Sequence, residues 1–144
     1  MPRPLIIPRS VLDGLSAHAL EALPEECCGV LLGPTRTDPP RVAQMVRAEN
    51  IAEGDRTTAY QIDWQTLFAV TKATRNSEER IVGFYHSHPD GSRSPSARDL
   101  ADAWIDFSYV IVSVDASARS VSRVTSWRIP PGTNRFEEEQ IVVP

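Results

Sequence analysis

The chain carries the run Ile81-Val82-Gly83-Phe84-Tyr85-His86-Ser87-His88-Pro89 and, six residues further on, Ser96-Ala97-Arg98-Asp99. The first run begins with apolar residues that favour β-structure and ends at a Pro-Asp-Gly turn, so it predicts a strand that ends near His88. Side chains alternate along a strand, so His86 and His88 share one face and Ser87 points to the other. Two imidazoles on one face of a strand are candidate ligands for a metal ion.

The second run predicts a helix that extends to Trp104. Ser96 is expected near its N-cap, and Asp99 then lies one turn into the helix, beside the serine hydroxyl. Each pair also has a simpler interpretation. Ser-x-x-Asp is a common capping box, and two histidines at i and i+2 occur without any metal. The role of the Ser96 hydroxyl and the Asp99 carboxylate therefore depends on whether they lie close to His86 and His88 in the fold.

Imidazole and carboxylate together are typical ligands of zinc. Three protein ligands with one open position indicate a catalytic site, whereas a structural site closes all four positions with a further His or Cys. Outside the two runs, the only His or Cys residues that could serve as a fourth ligand are His18, Cys27 and Cys28. His18 falls within a predicted helix, and the adjacent cysteines are too strained a pair for a disulfide, so we expect reduced, buried thiols. An open site is the better interpretation.

The two runs together resemble the His-x-His-Pro…Ser-x-x-Asp signature of the JAMM (MPN+) zinc metalloproteases, with the same spacing. The family also has a glutamate just before a glycine-containing apolar strand, and residues 24–33, Pro-Glu-Glu-Cys-Cys-Gly-Val-Leu-Leu-Gly, resemble that segment. Glu26 stands at the matching position, with Glu25 as the neighbouring alternative. The resemblance covers most of the chain and is nearest to the small, free-standing prokaryotic members.

The resemblance implies a complete catalytic site. His86, His88 and Asp99 would bind one zinc ion per chain, with a water molecule in the fourth position. Glu26 would act as general base for that water, and Ser96 would donate a hydrogen bond to the developing oxyanion. Cys28 shares a strand face with Glu26, which leaves open a thiol near the zinc.

The resemblance also implies a class of substrate. Family members cut peptide or isopeptide bonds after the Gly-Gly tail of ubiquitin or ubiquitin-like proteins, and in small prokaryotic members these partners are sulfur-carrier proteins. Such a tail would bind extended along a sheet edge, and residues 50–60 and 90–94 are the candidate regions. The alternative is a non-catalytic MPN-type interaction module. A zinc nucleobase deaminase is excluded because its His-x-Glu and Pro-Cys-x-x-Cys motifs are lacking.

The composition fits an ordinary globular protein. With 144 residues, 41% of them hydrophobic, residues 1–144 are expected to form one domain. The net charge of −4 argues against a general nucleic-acid binder. The apolar runs are too short for a signal peptide or a membrane span, so we expect a cytoplasmic protein without a membrane role.

The order of predicted elements indicates an α/β fold with a mixed sheet flanked by helices. It resembles the JAMM/MPN fold, which has a cytidine-deaminase-like architecture. Ser10 is expected to cap the first helix, and Asp63 the second. Strands are predicted at 5–7, 27–32, 41–48, 81–88, 107–114, 120–129 and 136–143, and helices at 11–23, 64–74 and 97–104.

Overall fold

A computed structural model describes residues 3–144, which form eight strands and three helices. The strands are β1 (Leu5–Ile6), β2 (Cys28–Pro34), β3 (Gln44–Ala48), β4 (Glu79–His88), β5 (Ser108–Asp115), β6 (Ser120–Arg128), β7 (Glu137–Glu139) and β8 (Ile141–Val142), and the helices are α1 (Arg9–Ala22), α2 (Trp64–Thr74) and α3 (Ala97–Ala101). None of the helices in this part of the chain is both long and apolar enough to cross a membrane.

Six strands form one mixed sheet in the order β3-β2-β4-β5-β6-β7, and β1 pairs with β8 in a separate parallel ribbon. Within the large sheet β4 and β5 are parallel, and the other neighbours are antiparallel. The predicted fold class, a mixed sheet flanked by helices, is therefore confirmed. The predicted hairpin of β2 and β3 is also present.

Apolar side chains cover both faces of the sheet. On one face, Leu31 and Tyr85 pack in a cluster with the buried side of α1. On the other face, Val30 and Leu32 pack with Val70 of α2. Neighbouring residues of β2 thus serve opposite layers, because side chains alternate along a strand. The continuous apolar run of β2 is explained by burial on both of its faces.

Three local predictions were wrong. Helix α1 begins one residue before Ser10, and the N-cap position belongs to Pro8, whose carbonyl accepts from Val11 N. Helix α3 ends at Ala101, because Trp104 instead donates its backbone N–H to the Tyr109 hydroxyl at 2.8 Å. The single terminal strand is divided into β7, which pairs with β6, and β8, which pairs with β1. The predicted Asp63 cap of α2 is confirmed by its hydrogen bond with Thr66 N.

Gly83 allows the central strands to approach each other. It lies opposite Ser108 in the parallel pair of β4 and β5, and a Cβ there would overlap the carbonyl oxygen of Ser108. We expect Gly83→Ala to lower the free energy of unfolding by about 3 kcal/mol, because backbone atoms of a central strand cannot move aside. Gly14→Ala is the matched control, since its Cβ would meet only the flexible Met45 side chain. Equal urea midpoints for both variants would contradict this account.

Candidate metal centre

The end of β4 and the start of α3 bring two histidines and one carboxylate together. His86 and His88 lie on the same face of β4, as predicted, and their Nε2 atoms are 3.0 Å apart. Asp99 Oδ2 lies 3.2 Å from His86 Nε2 and 3.3 Å from His88 Nε2. Among the described residues, this is the cluster of His, Cys, Asp and Glu side chains that could hold a metal ion.

The donor atoms fit a zinc ion. Two donor atoms bound to a tetrahedral zinc at about 2.05 Å lie about 3.3 Å apart, close to the observed separations of 3.0 Å between the two nitrogens and 3.2 and 3.3 Å from each nitrogen to Asp99 Oδ2. Nitrogen lone pairs repel at such distances unless a cation or a proton lies between them. Both imidazoles are buried, at 1% and 6% exposed, so water cannot easily relieve this repulsion. The chemistry and spacing of the three groups therefore suit a divalent cation.

Burial and mutual contacts set the protonation of the cluster. Burial lowers the pKa of His86, which keeps its ring neutral, as a metal ligand must be. Burial also disfavours charged His88, but hydrogen bonds with Asp99 and the Ser92 carbonyl outweigh it and raise the pKa of His88. Burial opposes ionisation of Asp99, yet hydrogen bonds from both histidines hold its pKa well below the usual range. The carboxylate is thus ionised at neutral pH.

The turn after β4 orients His88. Its Nδ1 lies 3.0 Å from the Ser92 carbonyl oxygen, which also accepts from the Ser113 hydroxyl at 2.8 Å. Ser92 is itself held by Asp90, whose Oδ1 accepts from the Ser92 backbone N–H and hydroxyl. With Nδ1–H donating to a carbonyl, the neutral form of His88, which is the form that binds a metal, keeps its lone pair on Nε2, toward the cluster. Sequence reasoning did not identify Ser92, because nothing in its own pattern indicates which side chain its carbonyl will meet.

Ser96 forms the capping box that its sequence pattern predicts. Its hydroxyl oxygen accepts from Asp99 N at 3.0 Å, while Asp99 Oδ2 accepts from Ser96 N at 2.8 Å. The same carboxylate oxygen thus caps the helix and faces both imidazoles. Because the Ser96 hydroxyl only accepts in this arrangement, its proton remains free to be donated to another group. Ser96 is exposed, so such a group can reach it.

Glu26 lies next to the cluster, just before β2. Cys28 pairs with His86 across β2 and β4, and continuing this antiparallel register places Glu26 opposite His88 on the same face. Its side chain is buried, and Oε1 has no hydrogen-bond partner among residues 3–144. Burial raises the pKa of Glu26 to about 8, with His88 lowering it and Asp99 raising it. The alternative, Glu25, is exposed.

The two cysteines are free and buried. Cys28 lies on the face of the cluster, opposite His86, but its Sγ does not belong to the group of converging ligand atoms. Burial raises the pKa of Cys28 to about 12 and that of Cys27 to about 11. Both therefore remain thiols at neutral pH, and a thiol is a poor zinc ligand.

A groove leads to the cluster from the side of α2. It has a volume of about 430 Å³, and its lining includes Asp99, Phe84 and Tyr109. Two tryptophans at its mouth, Trp64 and Trp104, are each 69% exposed. Exposed apolar surface gathered beside a cleft is a candidate interaction surface. Ala59 and Tyr60, from the predicted tail-binding region 50–60, contribute to the lining, whereas the part formed by Trp104 was not predicted because Trp104 was expected inside a helix.

Comparisons with known proteins agree on one family. A family model described as prokaryotic homologs of the JAB domain matches residues 8–130. The chain is 34% identical to the CysO-cysteine peptidase of Mycobacterium tuberculosis, over 96% of this chain and 91% of that protein. It is 35% identical to the desampylase of Haloferax volcanii, over 72% and 76% of the two chains. A solution structure of a Desulfitobacterium hafniense protein matches with a TM-score of 0.80 and 26% identity, over 97% and 92%.

Proposed function

The chain belongs to the family of prokaryotic JAB-domain proteins, and from this premise we propose that it is a zinc-dependent hydrolase of conjugates of ubiquitin-like sulfur-carrier proteins. The scissile bond is the peptide or isopeptide bond that follows the carrier's C-terminal Gly-Gly. The observation that carries this proposal is the convergence of His86, His88 and Asp99 beside the buried carboxyl group of Glu26. Three ligands from the protein leave one position of a tetrahedral zinc for the reaction.

The residues of the site divide the chemistry between them. Zinc held by His86, His88 and Asp99 would acidify a water molecule and polarise the scissile carbonyl. Glu26 accepts the proton of the attacking water and returns it to the leaving amine. Burial raises the pKa of Glu26 to about 8 in the metal-free protein, and the positive charge of a zinc ion held beside it would lower that pKa toward the ionised form that a base needs.

Ser96 is suited to the oxyanion. Its hydroxyl proton is not used in the capping box, and the backbone of α3 fixes the oxygen through the Asp99 N–H. A donor held in place before the reaction stabilises negative charge without first having to reorient. The cap and the oxyanion donor are therefore compatible roles of the same hydroxyl.

The groove suits the carrier side of the substrate. An extended Gly-Gly tail can pass along a narrow cleft because glycine has no side chain to obstruct it. The tail would end at Asp99, and the body of the carrier would lie against Trp64 and Trp104 at the mouth. The names of the two relatives support this class of partner: one is a CysO-cysteine peptidase and the other a desampylase.

The test combines metal analysis with hydrolysis. Purified protein is expected to carry about one zinc per chain, measured by mass spectrometry of the metal. It is expected to release a carrier that ends in Gly-Gly from a carrier–cysteine or carrier–protein adduct, detected by intact mass. Absence of bound zinc would overturn the proposal. Zinc binding without cleavage of any Gly-Gly adduct would favour the non-catalytic MPN-type module.

A further inference from the structure

The two histidines of the cluster are supported differently. Metal-binding histidines usually donate their second ring N–H to a carbonyl or a carboxylate, which fixes the orientation of the ring. His88 does so through Nδ1 and the Ser92 carbonyl. Nδ1 of His86 is buried and has no hydrogen-bond partner among the described residues. The orientation of the His86 ring therefore depends on some other contact.

Tyr60 supplies that contact. Its ring stacks on the imidazole of His86 with a centroid distance of 4.3 Å and an interplanar angle of 19°. The two rings are nearly parallel, so an imidazole that rotated about its Cβ–Cγ bond would collide with the phenol ring. A stacked pair of this kind also contributes dispersion energy beyond simple burial. The phenol ring thus restricts the same motion that a hydrogen bond at Nδ1 would restrict.

Asn50 holds Tyr60 in place and ties it to the backbone at Glu26, just before β2. The Asn50 amide nitrogen donates to the backbone carbonyls of Glu26 and Ala59, each at 3.0 Å. Its side-chain oxygen accepts from Ala52 N at 3.0 Å and from Gln61 N at 3.1 Å. These four bonds use both donors and both lone pairs of the side chain. The residues on either side of Tyr60 are therefore fixed to the backbone at Glu26.

The geometry points to Tyr60 as a positioning residue for His86, with Asn50 as the tether that holds Tyr60 against the ring. Tyr60 acts through His86, by keeping Nε2 aimed at His88 and Asp99. Asn50 also bonds the backbone of Glu26, so the proposed metal ligand His86 and the proposed base Glu26 keep fixed relative positions. This inference rests on the metal site of the proposed function but on no particular substrate.

The test compares the rates at which zinc leaves the protein. Tyr60→Leu removes the stacked ring but retains an apolar side chain, whereas Tyr60→Phe retains the ring and removes only the hydroxyl. With a chromogenic chelator in excess, we expect release from Tyr60→Leu to be about 10-fold faster than from the wild type. Release from Tyr60→Phe is expected at the wild-type rate. The visible absorption of the cobalt-loaded proteins should change only in the leucine variant, because only there can the His86 ring reorient.

Asn50→Asp tests the tether separately. Aspartate has the same shape but lacks the two N–H donors, so the carbonyls of Glu26 and Ala59 lose their partner. Faster zinc release is expected here too, and a wild-type rate would overturn the role of Asn50. For Tyr60, a wild-type rate in the leucine variant, or equally fast release from Tyr60→Phe, would overturn the inference. The zinc-release assay contains no substrate. If the protein binds zinc but cleaves no adduct, the proposed function is refuted, and the release rates still test the role of Tyr60.

Discussion

Glu26→Gln is expected to lower kcat for cleavage of a carrier adduct by about 10³-fold, within the range that a positioned general base contributes. Glutamine matches glutamate in shape but cannot accept a proton. The effect should fall on kcat more than on KM, because Glu26 lies beside His88 and does not line the groove in which the carrier tail is placed. Steady-state kinetics on a carrier–cysteine adduct, with the product identified by mass, measures it.

Glu25→Gln is the matched control for this variant. The two glutamates are adjacent, but Glu25 is exposed and Glu26 is buried. We expect wild-type turnover from Glu25→Gln and unchanged zinc content in both proteins. Undiminished cleavage by Glu26→Gln, or a larger loss in Glu25→Gln, would show that the base has been assigned to the wrong residue.

Glu26→Gln should also alter the pH dependence of stability in the metal-free protein. The pKa of Glu26 is raised from 4.5 to about 8 in the folded state, mainly by burial. Between these values the folded protein holds a proton that the unfolded chain has lost, so the Glu26 contribution to stability falls as pH rises from about 4.5 to 8. Denaturant unfolding across this range should show that fall in the wild type and a shallower one in Glu26→Gln. Parallel pH profiles would contradict a buried, protonated Glu26.

The sequence predicts the parts of the site that depend on short-range pattern. Alternation along β4 placed His86 and His88 on one face, and the Ser-x-x-Asp spacing gave the capping box that the structure contains. The choice between Glu25 and Glu26 came from a family resemblance. Continuing the register of β2 and β4 puts Glu26 on the same face as the histidines, and its role as the base stays a prediction. These features are predictable because helix and strand periodicity determines which side chains within a few residues share a face.

The supporting contacts could not be predicted in this way. Ser92 reaches His88 through its carbonyl and its hydroxyl oxygen, which lie 3.0 and 2.9 Å from Nδ1, and a turn pattern does not indicate which side chain these oxygens will meet. Asn50 bonds with Glu26 and with residues near Ala59, across distances in sequence that no periodic pattern covers. The misplaced Ser10 cap has a different, local origin. Pro8 can precede a helix without a side-chain cap, so the chain entered α1 earlier than the serine suggested.

His88→Ala is expected to remove the bound zinc and to reduce cleavage to background, a loss of at least about 10³-fold. Two remaining ligands, His86 and Asp99, do not form a stable zinc site in a protein. Alanine also leaves the Ser92 carbonyl without the ring N–H that it meets in the wild type. Zinc added back in excess should therefore restore neither the metal content nor the activity, as judged by metal analysis after gel filtration.

His18→Gln provides the control within the same chain, because His18 is the only histidine outside the cluster. Its Nδ1 lies 2.7 Å from the Tyr85 hydroxyl, on the α1 side of the sheet, and it contacts none of the proposed ligands. Glutamine can retain that hydrogen bond, so we expect wild-type zinc content and turnover from this variant. Loss of zinc from His18→Gln, or a full zinc complement in His88→Ala, would place the metal elsewhere. Zinc and turnover retained by His18→Gln but lost from His88→Ala would assign both the metal and the hydrolysis to the end of β4. The two substitutions remove the same kind of ring from opposite sides of one sheet.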